Sequence, residues 1–194
     1  MKKLAAALAI ASSFLVAPLA QAIPITYVAL LDQNEPVPTG SAGTGTVFVT
    51  IDTDADTMAI SAAWAGLGAP TTVAHIHCCT LVPGTGAAGV AVDQGTLPGF
   101  PAGVTSGSYS VVVNLADTGS YGNAFLTAAG GTAAGAESVL AAGLADGKSY
   151  FNIHTQQFPG GEIRGFLRVP EPASLALLGL GLLGLGFSRR QRAA

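Results

Sequence analysis

The side chains best suited to chemistry fall in two short stretches. His75 and His77 stand two apart in Ala74-His75-Ile76-His77, and His154 closes Tyr150-Phe151-Asn152-Ile153-His154; the chain has no other histidine. Residues two apart on a strand share a face, so His75 and His77 project together, and His154 shares a face with Tyr150 and Asn152. Three imidazoles suit Zn²⁺ or Cu²⁺, which take neutral ring nitrogens as ligands. A hairpin looping through residues 156–160 pairs Thr155 with Gly161, setting His154 opposite Glu162 and Asn152 opposite Arg164. Glu162 is then a fourth ligand, or the carboxylate that fixes a ligand's tautomer. The competing reading is that these histidines bond backbone groups at strand ends and hold no ion.

Cys78 and Cys79, the only cysteines, follow His77 directly. Neighbouring Cα atoms lie about 3.8 Å apart, under the usual disulfide range of roughly 4.4–6.8 Å, so a vicinal bridge is a tight ring. It is nevertheless the first expectation wherever the chain meets an oxidising compartment. Two free thiols, an intermolecular bond, or a soft ligand from Cys79 beside His77 are the alternatives. No nucleophile elbow or nucleotide-binding glycine pattern occurs, and no enzymatic activity is expected. Asp52, Asp54 and Asp56 alternate but lack the glycine and twelfth-position glutamate of an EF-hand loop, and read as a solvated turn. Glu137 and Asp146 read as isolated, and Trp64 as core.

The elements that must position these groups are short strands. Between residues 23 and 168, β-type runs alternate with Gly, Pro and Asp turns. Strands are expected at Ile25–Leu31, Thr46–Asp52, Thr57–Ala65, Val73–Cys79, Ser108–Ala116, Tyr150–Thr155 and Glu162–Arg168. Met58, Ile60, Ala62 and Trp64 share one face by their period of two. Ala133–Leu144 is the one expected helix, and Pro83–Gly107 a long loop with room for a short extra strand. The pattern predicts an all-β fold: an antiparallel immunoglobulin-like or superoxide-dismutase-like sandwich or barrel with one short helix. A domain of that size folds without a disulfide framework.

Charge is sparse, at 10% of 194 residues, and unevenly placed. Lys2 and Lys3 open the chain and Arg189, Arg190 and Arg192 close it, so residues 23–169 hold three bases against ten acids, a net of −7. Such a body does not steer toward nucleic acid or anionic lipid. The start reads as a signal peptide over residues 1–22: a basic opening, about 14 apolar residues, and Ala20-Gln21-Ala22 as cleavage site for signal peptidase. At the other end Ala173 to Ser188 spans roughly 24 Å as a helix against a hydrocarbon core of roughly 30 Å. With local thinning and snorkelling arginines it is expected as a transmembrane helix, its basic end cytoplasmic.

Three resemblances follow from these residues. Pro170-Glu171-Pro172, the glycine- and leucine-rich span and the basic tail together resemble the PEP-CTERM sorting signal, over residues 169–194. That resemblance implies recognition and removal by an exosortase-type membrane protease, and delivery from an inner-membrane precursor to the cell surface or extracellular matrix of a Gram-negative bacterium. Leu30 to Pro38, Gly43-Thr44-Gly45, Ala74 to His77, Tyr150 to Thr155 and Pro159-Gly160-Gly161-Glu162-Ile163-Arg164-Gly165 occur in an order similar to the CHRD domain, across 23–168. This implies an all-β module and leaves its molecular function open. His-x-His on a strand of an exported β domain is also similar to Cu/Zn superoxide dismutase, but no further histidines supply that enzyme's other ligands, and its activity does not transfer.

The function expected is therefore an exported surface or matrix protein, a non-enzymatic binding or structural module touching exopolysaccharide or envelope proteins. The alternative is a metal-binding exported protein, with or without redox activity, using His75, His77 and His154. Zinc or copper is the only cofactor these residues suggest.

Overall fold

The computed structural model describes residues 23–33 and 38–171. The signal peptide with Ala20 and Ala22, Pro172 and the apolar C-terminal segment lie outside the described residues, so the transmembrane expectation is not addressed by them. Among the described residues no helix is long and apolar enough to cross a membrane.

Among the described residues eight strands carry the fold: β1 Ile25–Leu31, β2 Thr44–Asp52, β3 Thr57–Ala65, β4 Thr71–His77, β5 Val90–Val92, β6 Gly107–Asn114, β7 Tyr150–Thr155 and β8 Ile163–Phe166. They form two four-stranded sheets, ordered β1-β2-β3-β6 and β5-β4-β7-β8, with every pairing antiparallel. One apolar cluster draws on both sheets: Val47, Val49, Met58 and Ile60 from the first, Ile76, Phe151, Ile153 and Ile163 from the second. On β3 the buried residues are Met58, Ile60, Ala62 and Trp64, the alternation expected of a half-buried strand.

The sheets meet along one seam. Val28 and Arg168 exchange backbone hydrogen bonds of 2.8 and 3.0 Å, and Asp32 and Arg164 do the same at 3.1 and 2.9 Å. Gly165 makes that approach possible, because a Cβ there would collide with the Leu30 carbonyl and the Ala29 methyl.

Among the described residues two α-helices are present where one was expected. α2, Ala133–Ala145, has the expected N-terminus: the Thr132 side chain accepts from the Gly135 N–H. Gly147, at φ +66°, follows its end, with Gly147 and Lys148 donating back to Leu144 and Gly143. α1, Asn123–Ala128, is six residues long and has no side-chain cap. So short a helix does not stand alone; it is held by Phe125 and Leu126 packing on the core. β5 is the short extra strand inside the long loop.

Candidate metal centre

β4 and β7 lie side by side, with His75 paired to Asn152, Ile76 to Phe151 and His77 to Tyr150. Ile76, Phe151 and Ile153 point into the core. The alternating set His75, His77, Tyr150, Asn152 and His154 therefore shares the opposite face. That face is covered too, leaving His75, His77 and His154 only 6%, 7% and 7% exposed. The cover comes from the loops after β4, β5 and β7, whose carbonyls turn onto the rings.

Each ring is tied at one nitrogen. Nε2 of His75 is 3.0 Å from the Gly95 carbonyl, Nδ1 of His77 is 2.9 Å from that of Ala88, and Nδ1 of His154 is 2.8 Å from that of Pro159. A carbonyl only accepts, so each of these nitrogens carries its ring's proton. Burial lowers the pKa of all three rings, to about 4 for His77, and the neighbouring rings push His77 and His154 down further. At neutral pH each ring is neutral and has one N–H, which is already committed. Nδ1 of His75, Nε2 of His77 and Nε2 of His154 are thus three bare lone pairs, all within 4.8 Å of one another. Nδ1 of His75 and Nε2 of His154 face each other at 3.3 Å. Nε2 of His77 is buried without a partner.

Behind the trio, the His77 ring stacks on Tyr150 at 4.7 Å with the planes 2° apart. The Arg164 guanidinium lies 4.6 Å from the Tyr150 centroid and donates to the Gly86 carbonyl at 2.9 Å. His77 and Tyr150 also line a surface cleft of about 550 Å³ with Thr39, Gln157 and Phe158.

Glu162 is not part of this cluster. Its Oε1 accepts from the Ser41 hydroxyl and, at 2.6 Å, from the Gly68 N–H; its Oε2 accepts from the Thr155 hydroxyl at 2.8 Å. The β7–β8 register ends at Ile153–Ile163, and Thr155 donates to Phe158 within the loop instead of pairing with Gly161. Gly161, at φ +125°, turns the chain there and sends Glu162 toward Thr155, on the face opposite His154. The expectation that Glu162 ligates or orients is corrected on that ground. The orienting partners are backbone carbonyls, which no residue type announces. Asn152 does pair with Arg164.

Cys78 and Cys79 are joined by a disulfide at the end of β4, so neither sulfur stands as a thiolate ligand beside His77. In the Asp52–Asp56 turn, Asp52 Oδ1 accepts from the N–H groups of Asp54 and Ala55, both at 3.1 Å. Glu137 is not isolated: it is buried to 6% exposure against that turn. Trp64 is core, stacked on Phe100 with centroids 5.1 Å apart. Pro170 and Glu171 are exposed, just beyond the last backbone pairing.

Two antiparallel sheets around one core, with a buried histidine trio on the outer face of the second, define an all-β module. Residues 27–167 match the CHRD domain and residues 168–190 match the PEP-CTERM protein-sorting motif. The chain belongs to the CHRD domain family. Its sorting motif marks it as an exported protein whose membrane-anchored precursor is handled by an exosortase-type system. No curated protein and no solved structure matches the chain.

Proposed function

We propose that this chain is a non-enzymatic surface or matrix module: a single β domain freed from residues 1–22 by signal peptidase and from its tail by an exosortase-type protease. Its work is binding or structural, in contact with exopolysaccharide or envelope proteins. The observation that carries the reading is the arrangement of the domain's ends. The domain match stops at residue 167 and the sorting motif begins at 168. Arg168 is paired to Val28, so the chain enters and leaves the domain side by side, with Val169, Pro170 and Glu171 exposed beyond the seam. A folded cargo with both tails at one seam is cut there without disturbing its core.

The test is fractionation of a Gram-negative host that carries an exosortase, expressing the full chain or its Pro170→Ala/Glu171→Ala variant. The unaltered chain is expected as a shortened form at the surface or in the matrix. The variant is expected to keep its C-terminal tail and stay in the inner-membrane fraction. An unaltered chain that remains in the inner membrane uncut defeats the reading.

A further inference from the structure

We propose that His75, His77 and His154 hold a single zinc or cuprous ion, through Nδ1 of His75 and Nε2 of His77 and His154. The argument rests on proton counting. Three backbone carbonyls take the only N–H of each neutral ring, so the inner three nitrogens have nothing to donate to one another. The 3.3 Å approach of His75 Nδ1 to His154 Nε2 is then two acceptors face to face, not a hydrogen bond. A water placed among them has two O–H groups for three lone pairs and leaves one bare. A shared proton makes a buried imidazolium. The Asp93 carboxylate favours charge on His75 electrostatically, but it is hydrogen-bonded to none of the three rings, and burial outweighs it; burying so weakly compensated a charge is costly. A metal ion is the one occupant that satisfies all three at once.

The spacing agrees. Two nitrogens each bound at about 2.0–2.1 Å on a tetrahedral centre stand roughly 3.3–3.4 Å apart, matching the 3.3 Å between His75 and His154. The other separations run to at most 4.8 Å, so the His77 ring closes inward on loading. The Gly95, Ala88 and Pro159 carbonyls are the outer partners that hold each ligand ring in the right tautomer.

The donor set selects the ion. Three neutral imidazoles, with both sulfurs in a disulfide and the Glu162 carboxylate engaged elsewhere, do not suit Ca²⁺ or Mg²⁺, which demand oxygen. They suit Zn²⁺ and Cu⁺, d¹⁰ ions without a d-electron preference for square geometry. Among the described residues no fourth protein donor joins the group. The fourth position on a zinc ion belongs to water or an incoming ligand, as in open zinc sites, whereas a cuprous ion is complete with three.

The experiment uses the full chain, purified in detergent without a polyhistidine tag and stripped with chelator. One sample is titrated with Zn²⁺ and another with Cu⁺ under reductant mild enough to leave the disulfide intact, each against a chromophoric competitor. The bound ion is counted by elemental mass spectrometry after gel filtration, and X-ray absorption at the metal edge reads its neighbours. One ion per chain with three imidazole scatterers is expected from at least one titration; the tighter ion identifies the metal. His75→Ala and His154→Ala are expected to weaken binding by more than the roughly 10–100-fold typical of losing an outer-shell partner. If either variant fails to fold, the X-ray absorption spectrum of the unaltered chain still decides. No ion bound from either titration, an absorption spectrum without imidazole, or an ion retained with full affinity by a folded His75→Ala chain each overturns the proposal.

Discussion

Glu162 sits fully buried, holding a loop hydroxyl at Ser41, a backbone N–H at Gly68 and a strand hydroxyl at Thr155. Removing the carboxylate strands these donors in a dry site, and each orphaned buried polar group costs about 1–3 kcal/mol. Glu162→Ala is expected to lose about 3 kcal/mol of unfolding free energy in urea titrations. A loss within a few tenths of zero means that solvent reaches these groups. Glu137 answers to pH instead. Burial, then the Asp56 and Asp52 carboxyls, push its pKa from 4.5 up to about 7. The folded state therefore binds this proton more tightly, and the associated stability is full below about 4.5 and lost as pH rises through about 7. The three histidines run the other way, since their lowered pKa values cost stability as pH falls below 6.5. The comparison of interest is thus Glu137→Gln against the unaltered chain, in which the histidines cancel. The variant is expected to melt higher than the unaltered chain at pH 8 and to lose that advantage at pH 5. An equal gap at both pH values shows that Glu137 titrates normally. Glu137 looked isolated in sequence because its carboxyl neighbours stand some eighty residues away across a turn, a relation that periodicity does not carry.

Strands declare themselves wherever one face is buried and the other solvated. β1 and β3 occupy the residues the alternation predicts, β7 has its expected bounds although both its faces are buried, and the remaining long strands differ from expectation by a few residues at their ends. α2 was legible from its length, but α1 exists only through the packing of Phe125 and Leu126. The hairpin after β7 is only partly as expected. Its register was right, with Asn152 facing Arg164, but pairing stops at Ile153–Ile163 and the backbone turns at Gly161, and a glycine's conformation is not written in its neighbours' hydrophobicity. The shared face of His75 and His77 followed from strand period, whereas the carbonyls that fix their tautomers depend on loop paths. Gly165 tests the seam between β1 and β8. Alanine there drives a methyl into the Leu30 backbone, which cannot rotate aside as a side chain can. Overpacking of this kind costs about 1–3 kcal/mol. Gly165→Ala is expected to lower stability by that amount and to raise hydrogen exchange at Val28 and Arg168, whose mutual bonds close the seam. Unchanged exchange at those amides shows that the seam does not depend on the glycine.

At the scale of the whole molecule, charge decides which matrix partners are within reach. The body between residues 23 and 169, which the proposed processing would leave, carries a net of −7, with three basic side chains, Lys148, Arg164 and Arg168. Arg164 is buried, stacked over Tyr150, and bonded to Gly86, and Lys148 is paired with Asp146 at 2.9 Å. Little positive charge is left to meet a polyuronate, and at low ionic strength the long-range field of the domain repels one. The outer face of the first sheet is of another kind. Thr46, Ser61, Ser108 and Ser110 border a shallow groove beside half-exposed Phe48, a mixture of hydroxyls and one aromatic ring with no charge. If the proposed matrix role holds, a body of this charge is expected to associate with neutral glycan or with protein, and with an anionic polysaccharide only through bridging cations. In affinity electrophoresis with chelator present, a neutral matrix glycan is therefore expected to retard the mature protein, while a polyuronate leaves its mobility unchanged. Phe48→Ala is expected to abolish the neutral-glycan retardation, because the apolar face that packs on a sugar ring is gone. Retardation by polyuronate in chelator at low salt contradicts the electrostatic argument, and a Phe48→Ala protein that is still retarded by neutral glycan moves the contact to another face of the domain.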